Sequence, residues 1–228
     1  MFAEVIDVVI PCCPREFPLL RECVRGIRDN GIDIGRIIVV TERASSCEIR
    51  RLTKKLDVEI FFEELLPFTL EEVGHRLYRQ LLNLYLFRII PDLTKHVLIL
   101  NPNTIFFSPY RFVTEGGKTL FMSTGSDDGG WFFHAQRLIP HFRENPFGFS
   151  SIHNFMVFRR DVIEKLFCEV ETFHRMPFWR AYIYSVDSRY IFTSEWEIYF
   201  NYFLIRYPRE FCWQTFLWED RGWVCLDR

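Results

Sequence analysis

Val-Ile-Asp-Val-Val-Ile at residues 5–10, followed by Pro11, is the stretch of sequence that decides the predicted fold class. Its nearly continuous run of β-branched residues is typical of a strand that is covered on both faces. Apolar residues then recur at spacings of three and four from Phe17 to Ile27, which predicts a helix that ends near Asn30-Gly31. Ile37–Val40 is predicted as a second buried strand. The order strand, helix, strand favours a right-handed parallel crossover.

The remaining periodic segments continue this alternation in the first half of the chain and become less regular in the second half. Further helices are predicted at Ile49–Leu56, Leu70–Ile90, Asp161–Thr172 and Glu195–Tyr207, and further strands at Val58–Phe62, Val97–Leu100, Thr119–Met122 and Asn154–Phe158. No repeat, low-complexity tract or linker separates the two halves. We therefore expect one α/β domain over residues 1–228, with a mixed, mostly parallel, Rossmann-like sheet that is flanked by helices and shared by both halves.

Charge and hydropathy argue against several classes of partner. With 28 Lys and Arg against 30 Asp and Glu in 228 residues, the formal charge of -2 gives no global attraction to nucleic acid or to acidic membranes. No apolar run approaches the roughly 20 residues of a membrane helix, and the first residues show no basic region before an apolar stretch. We expect a soluble, cytoplasmic protein with no transmembrane segment and no nucleic-acid partner.

Cysteine usage indicates reduced thiols. The seven cysteines form no Cys-x-x-Cys pair and no cluster with histidine, which argues against a disulfide framework and against a zinc site. The adjacent pair Cys12-Cys13 is interpreted as small residues at the end of a strand.

Three stretches that are polar or form turns follow predicted strands: Pro11–Arg15, Thr41-Glu42 and Asn101–Asn103. Ligands of open α/β sheets bind outside the carboxyl ends of the parallel strands. We therefore expect these three stretches to converge on one crevice.

Three segments resemble the nucleotide-sugar half of a known family, the glycosyltransferases of the GT-A fold: Ile6–Pro14, Arg36–Glu42 and Val97–Pro109. More narrowly, the chain is similar to small glycosyltransferase-like proteins of bacteria and large DNA viruses. Four segments support this narrower match: Arg76–Leu84, the strand end at Asn101, Ser151–Asp161 and Ser194–Pro208. The resemblance implies a GT-A-like fold in which residues 1–109 form the nucleotide-binding half and residues 110–228 the acceptor and catalytic half. It also implies a nucleoside-diphosphate sugar as donor and a hydroxyl group of a glycan or protein as acceptor.

The end of the predicted strand Val97–Leu100 departs from the family pattern. The family usually carries Asp-x-Asp here, whose carboxylates hold a divalent cation against the donor diphosphate, but this chain has Asn101-Pro102-Asn103. Asn103 is the candidate ligand for Mn²⁺ or Mg²⁺, although an amide oxygen brings no negative charge and binds such a cation more weakly. Three interpretations stay open: metal-independent transfer, a weak metal site completed by other ligands, or a domain that has lost activity.

The helix predicted from Leu70 carries a polar stripe. Arg76, Gln80 and Asn83 recur at i, i+4 and i+7, with Arg79 beside them. By resemblance this stripe faces the donor, and either arginine can bind a diphosphate through a bidentate fork. The family tends to carry Lys where Asn83 stands, which is a second departure. A solvated helix face is the alternative.

The donor nucleoside is placed by resemblance at the second strand end. Thr41 and Glu42 follow that strand, where a carboxylate can accept hydrogen bonds from a ribose or a base, with Pro11 and Cys12 on the neighbouring strand end. An ordinary surface acid is the alternative for Glu42.

A transferase that works by direct displacement needs a carboxylate to take the proton of the acceptor hydroxyl. Ser194 and Glu197 have the spacing of a capping box, which assigns the Glu197 side chain to the backbone at the helix start. Glu195 is then the candidate base, by its position in a segment that resembles the acidic catalytic segment of the family. The alternative is a first-turn acid that interacts with the helix dipole.

Two further candidates lie in the second half. Asp128, in a glycine-rich loop, is a candidate base or an acceptor for sugar hydroxyls, with a solvated loop as the alternative. His153 and Asn154 precede a predicted strand at a place where related enzymes contact the donor sugar or the acceptor. A structural histidine is the alternative for His153.

Three functions fit these residues. The first is a hexosyl- or pentosyltransferase that uses Glu195 as base. The second is a catalytically degenerate module that binds a nucleotide sugar or a glycan, which Asn83, Asn101 and Asn103 favour. The third is an interaction protein whose aromatic surface contacts a partner, since aromatic residues make up 18% of the chain.

Overall fold

The computed structural model describes residues 4–122, 124–126, 130–143, 149–151, 153–187 and 192–214. Its strands are β1 (Ile6–Pro11), β2 (Ile34–Thr41), β3 (Glu59–Phe62), β4 (His96–Leu100), β5 (Thr119–Met122), β6 (Thr124–Ser126), β7 (Phe149–Ser150), β8 (Phe155–Arg159) and β9 (Phe211–Gln214). Its α-helices are α1 (Phe17–Asn30), α2 (Ser46–Thr53), α3 (Leu70–Val73), α4 (His75–Ile89), α5 (Gly130–Leu138), α6 (Arg160–His174), α7 (Phe178–Tyr184) and α8 (Glu195–Arg206).

The central sheet has five strands in the order β3-β2-β1-β4-β8. The first four are mutually parallel, and β8 pairs with β4 in the antiparallel direction. The fold is therefore a mixed α/β sheet, mostly parallel and Rossmann-like, as the sequence predicts. No helix in the described part of the chain is long and apolar enough to cross a membrane.

The two faces of the sheet are covered by different helices. Val9 and Ile99 belong to a core cluster with residues of α4, α6, α7 and α8. Val8 and Leu98 belong to a second cluster with residues of α1. Because side chains alternate along a strand, this assignment also fixes the direction of each residue at the strand ends.

Aromatic residues from the second half of the chain fill much of the first core cluster. Phe167 of α6 stacks on Phe178 of α7 with ring centroids 3.9 Å apart, and Phe158 of β8 stacks on Tyr199 of α8 at 4.1 Å. Ring pairs of this kind add packing energy to the area that they bury. Much of the high aromatic content therefore joins the helices of the second half to the sheet.

The structure differs from the predicted elements in the second half of the chain. Among the described strands of this half, only β8 joins the central sheet, whereas β5 pairs with β9 and β6 pairs with β7 in separate two-stranded sheets. The expectation that both halves share one sheet is therefore met only through β8. The short helices α5 and α7 and the strand β9 were not predicted, since each is short and is defined by tertiary packing or distant pairing more than by periodicity.

Gly74 divides the long helix that was predicted from Leu70 to Ile90. Its φ of 76° ends α3 and begins α4. Such a backbone conformation is accessible to glycine and strained for residues with a Cβ atom.

We predict that Gly74→Ala lowers the free energy of unfolding by about 1 kcal/mol or more, because alanine is strained at this φ. Gly116→Ala is the matched control, since Gly116 has no positive φ and an added Cβ would meet nothing closer than 3.8 Å. Urea unfolding followed by circular dichroism measures both. Equal stability of the two variants would contradict the assigned backbone conformation.

Candidate functional site

The carboxyl ends of β1, β2 and β4 lie at one edge of the sheet. The Cys12 N–H donates to the Val40 carbonyl at 2.9 Å, and the Asn101 N–H donates to the Asn154 carbonyl, just before β8, at 2.7 Å. The first bond joins the stretch Pro11–Arg15 to the end of β2, and the second joins the stretch Asn101–Asn103 to the residue before β8. Alternation along the strands places the Asn101 side chain on the same face as α4.

Arg79 of α4 contacts the ends of β1 and β4 at this edge of the sheet. Its Nη1 donates to Glu16 Oε1 at 2.7 Å, and its Nη2 lies 3.5 Å from the Pro11 carbonyl oxygen and 3.4 Å from Asn101 Oδ1. Two segments that are distant from Arg79 in sequence, residues 11–16 and Asn101, thus contact one guanidinium group. Its side chain is still 38% exposed, so part of this positive charge faces solvent at the strand ends.

The amides that replace the Asp-x-Asp pattern have different environments. Asn101 accepts from Arg79 through Oδ1, and its Nδ2 lies 3.4 Å from Asn154 Oδ1. Asn103 is exposed. Among the residues that the structure describes, no group of three or more His, Cys, Asp and Glu side chains is placed to hold a metal ion.

Glu195 is a buried carboxylate in the first turn of α8, with 6% of its surface exposed. Asn83 Nδ2 donates to its Oε1 at 2.7 Å. Burial raises the pKa of Glu195, and the bonds from its own N–H and from Asn83, together with the charge of Arg79, oppose this shift. Because Asn83 follows Arg79 by one turn of α4, the buried Glu195 carboxylate lies close to Arg79 and to the carboxyl edge of the sheet.

Glu197 has a different role from the predicted one. The Ser194 hydroxyl accepts the Glu197 N–H, as in a capping box. The Glu197 carboxylate, however, accepts from the Ser150 hydroxyl at 2.6 Å, the Ser151 N–H at 2.9 Å and Asn201 Nδ2 at 2.9 Å. It therefore joins α8 to β7, an interaction between distant segments that the local spacing did not reveal.

The predicted polar stripe on α4 is divided among different partners. Gln80 donates to the Thr193 carbonyl at 2.8 Å and accepts from the Tyr182 hydroxyl at 2.6 Å, so both ends of its amide join α4 to other elements. Arg76 is exposed. Of the stripe, Arg79 and Asn83 contact the strand ends and Glu195, respectively.

The residues placed by resemblance near the nucleoside point in different directions. Cys12 and Thr41 are buried, and the Cys12 side chain belongs to the core cluster on the α1 face, where burial raises the pKa of its thiol. Glu42 is exposed and accepts from the Ser45 hydroxyl at 2.8 Å. The carbonyl of Pro11 contacts Arg79 at the edge.

The remaining candidates are a buried histidine and a loop acid. His153 is buried just before β8, and desolvation lowers its pKa to about 4, so its imidazole is neutral at pH 7. Asp128 lies outside the residues that the structure describes.

Sequence reasoning missed Glu16, Glu63 and Tyr78. Glu16 holds Arg79 and also accepts the Cys13 N–H at 3.0 Å, and its spacing of three from Cys13 was the available signal. Glu63, directly after β3, is hydrogen-bonded to Tyr78 of α4, and burial raises the pKa of its carboxyl group. Acidic groups thus follow β2 and β3, whereas Arg79 lies at the ends of β1 and β4.

Two cavities in the described residues lie away from this edge. One of about 380 Å³ lies between α1 and α2, and one of about 220 Å³ is lined by residues of α8 and of the segment after α5. Neither contains Arg79 or Glu195. We place the candidate site at the strand ends because converging polar groups define it there.

The fold and this edge define a Rossmann-like α/β protein with a candidate ligand site at the carboxyl ends of its parallel strands. No family model matches the chain, and no curated protein matches it. Among solved structures, it is similar to a 4-diphosphocytidyl-2C-methyl-D-erythritol synthase from Anaerococcus prevotii, with 12% identity, a TM-score of 0.46, and coverage of 93% of this chain and 86% of that one. This likeness carries no inference about function.

We predict that Glu195→Gln stabilises the fold at neutral pH, because it removes a buried charge and keeps an acceptor for Asn83. Burial raises the pKa of this carboxyl group in the folded state. The folded protein therefore loses stability as the pH rises from the pKa of the group in the unfolded chain through its pKa in the folded chain. The Tm advantage of the variant should therefore be large near about pH 8 and shrink toward about pH 4.

Thermal unfolding across this pH range measures the effect. Glu164→Gln, at an exposed position of α6, is the control and should follow the wild type at every pH. A Glu195→Gln variant that is less stable than the wild type at neutral pH would show that the carboxylate contributes to the fold.

Proposed function

We propose that this chain is a glycosyltransferase that moves a sugar from a nucleoside-diphosphate donor to a hydroxyl acceptor. The observation that carries the proposal is the position of Arg79 at the ends of β1 and β4, one helical turn from the buried pair Asn83 and Glu195. A cation for the diphosphate and a carboxylate base for the acceptor proton then lie close together.

Arg79 supports the diphosphate part of the proposal. Its guanidinium is oriented by Glu16 and Asn101 and remains partly exposed. A fixed, partly exposed arginine suits a phosphate group, because its N–H groups match the phosphate oxygens. Arg76, one turn earlier and exposed, adds a second positive charge on the same helix.

The acids at the ends of β2 and β3 support a nucleoside on that side of Arg79. Glu42 is exposed, and Glu63 is partly buried beside Tyr78. Carboxylates accept hydrogen bonds from ribose hydroxyls and from base N–H groups. The donor would then lie along the edge, with its nucleoside over Glu42 and Glu63 and its phosphates over Arg79.

The residues present do not fit a tightly bound Mn²⁺ or Mg²⁺. Asn101 Oδ1 accepts from Arg79, and a divalent cation at Asn103 would lack carboxylate ligands from this strand end. A positive guanidinium beside the amide also opposes a second cation there. Of the three interpretations of Asn101-Pro102-Asn103, we therefore propose metal-independent transfer, with Arg79 as the charge that faces the leaving diphosphate.

Glu195 is the proposed base. Its raised pKa suits a group that takes a proton during the reaction and releases it afterwards. The acceptor hydroxyl gives its proton to the Glu195 carboxylate while its oxygen bonds to the anomeric carbon, and the bond from that carbon to the diphosphate oxygen breaks. Displacement from the opposite face inverts the configuration. We assign no proton transfer to His153, whose low pKa makes it a weak base.

A second candidate function is a module that binds a nucleotide sugar or a glycan without turnover. The amides Asn101 and Asn103, at the position of the family's two acids, favour this alternative. Both functions predict that the donor binds, but only the transferase predicts that the donor is turned over.

We predict donor turnover that Mn²⁺ and EDTA change little, measured as release of nucleoside diphosphate from a panel of nucleotide sugars. Glu195→Gln should lower this rate by about 100-fold or more and leave the Kd of the donor within a factor of two or so. Glu164→Gln is the control. Donor binding by calorimetry without turnover of any sugar would favour the binding module, and an unchanged rate in Glu195→Gln would remove this residue from the mechanism.

We also predict that the donor protects Cys13 from alkylation. Cys13 is exposed, and its N–H shares Glu16 with Arg79. Cys47 and Cys168 are exposed elsewhere and serve as internal controls. Mass spectrometry after iodoacetamide treatment should show slower labelling of Cys13 alone when a binding nucleoside diphosphate is present. Equal protection of all three cysteines, or of none, would place the nucleotide elsewhere.

A further inference from the structure

We propose that Asn83 is a positioning residue for Glu195, whose amide can hydrogen-bond the carboxyl group in both of its protonation states. The role that we give to this contact rests on the proposed function, because a base that takes and releases a proton has to remain oriented in both forms. The contact itself is a property of the folded chain.

The geometry of the pair is that of a closed polar contact. Asn83 is 1% exposed and Glu195 6%, and Asn83 Nδ2 lies 2.7 Å from Glu195 Oε1. The other end of the amide, Asn83 Oδ1, is buried and makes no hydrogen bond to the residues that the structure describes. A buried acceptor without a partner is costly in a folded protein and points to a use outside the resting state.

An amide offers that use because it carries a donor and an acceptor on one group. An ionised carboxylate can accept from Nδ2, which lies 2.7 Å from Oε1. A protonated carboxyl group has an O–H to donate, and rotation of the amide by half a turn about its terminal torsion brings Oδ1 into place as the acceptor. One side chain can then hold the base before and after it takes the proton from the acceptor hydroxyl.

Other side chains lack this double capacity. A leucine of similar size offers no hydrogen bond. An aspartate adds a like charge beside Glu195 and opposes its ionisation. A lysine can only donate hydrogen bonds. Its positive charge also favours the ionised carboxylate and opposes its protonation. The neutral amide therefore fits a carboxyl group that changes protonation during a cycle.

Other charged and titratable groups act on Glu195 from the surrounding elements. Arg79, on the same helix as Asn83, favours the ionised form. Tyr182 of α7 interacts electrostatically with Glu195, and its hydroxyl donates to Gln80. Glu197, in the same turn of α8, directs its carboxylate to Ser150 and Ser151. Among the side chains that the structure describes, Asn83 is the one hydrogen-bonded to the Glu195 carboxylate.

The test is a titration of Glu195 in the full chain without substrate. Carbon-13 labelling of the glutamate carboxyl groups, with the Glu195 signal assigned by its loss in Glu195→Gln, gives the pKa by NMR. In Asn83→Leu we expect Glu195 to titrate at higher pH than in the wild type, because the bond to the ionised carboxylate is charge-assisted and is the stronger of the two bonds that are lost. In Asn83→Asp the like charge raises the midpoint as well. We also expect the Asn83 side-chain amide signals of the wild type to shift with the same midpoint as Glu195, and to lose that shift in Glu195→Gln.

Asn201→Leu is the matched control, because Asn201 is a buried amide that donates to Glu197, on the same helix, at 2.9 Å. It should leave the titration of Glu195 unchanged. If Asn83→Leu fails to fold, the titration of the Asn83 side-chain amide signals in the wild type carries the test, since an aspartate at this position raises the Glu195 midpoint by its charge alone. The same Glu195 midpoint in the wild type and the Asn83 variant overturns the inference, as does an Asn83 amide signal that ignores the titration.

Activity separates this inference from the proposed function. With a donor that turns over, the acidic limb of the pH–rate profile should move to higher pH in Asn83→Leu, and the rate near neutral pH should fall by about tenfold or more. Shifted titration without turnover of any donor would support the Asn83 contact and contradict the transferase. Turnover with an unshifted titration would support the transferase and overturn the role of Asn83.

Discussion

Parallel pairing of β1 with both β2 and β4 is the constraint on which the rest of the structure depends. It places the carboxyl ends of the three strands at the same edge of the sheet. The opposite edge is fixed by Asp7, which is buried in β1 and accepts hydrogen bonds from Arg36 at 2.8 Å and from the Thr94 N–H at 3.0 Å. Asp7 thus joins β1 to β2 and to the segment before β4 at the amino edge of the sheet, while Arg79 joins β1 and β4 to α4 at the carboxyl edge.

The polar groups at the carboxyl edge are held by one another as well as by the backbone. Arg79 is oriented by Glu16, and Glu195 is held by Asn83. Each contact joins α4 to a different segment, so the position of this helix sets the distance between the positive charge and the buried acid. A buried carboxylate that has one side-chain hydrogen bond to the described residues is unfavourable for stability.

The first half of the fold followed from the sequence because its strands are apolar on both faces and its helices are amphipathic. The second half followed less well. β9 pairs with β5 across about ninety residues of chain, and no local pattern encodes such a partner. Gly74 was a visible signal for a helix boundary, but its positive φ is defined by how α3 meets α4. At the site, the position of Glu195 followed from the spacing around Ser194, whereas the partner of the Glu197 carboxylate did not.

The sequence by itself determined the order of the strands and helices around residues 5–100 and the location of polar residues at strand ends, because hydrophobic periodicity and turn residues are local properties of the chain. Only the tertiary structure decided that Arg79 contacts Pro11 and Asn101, that Glu195 is buried against Asn83, and which face of the sheet each residue meets. These contacts join segments between 22 and 112 residues apart. Their geometry depends on how helices pack on a twisted sheet, and no spacing along the chain records that packing.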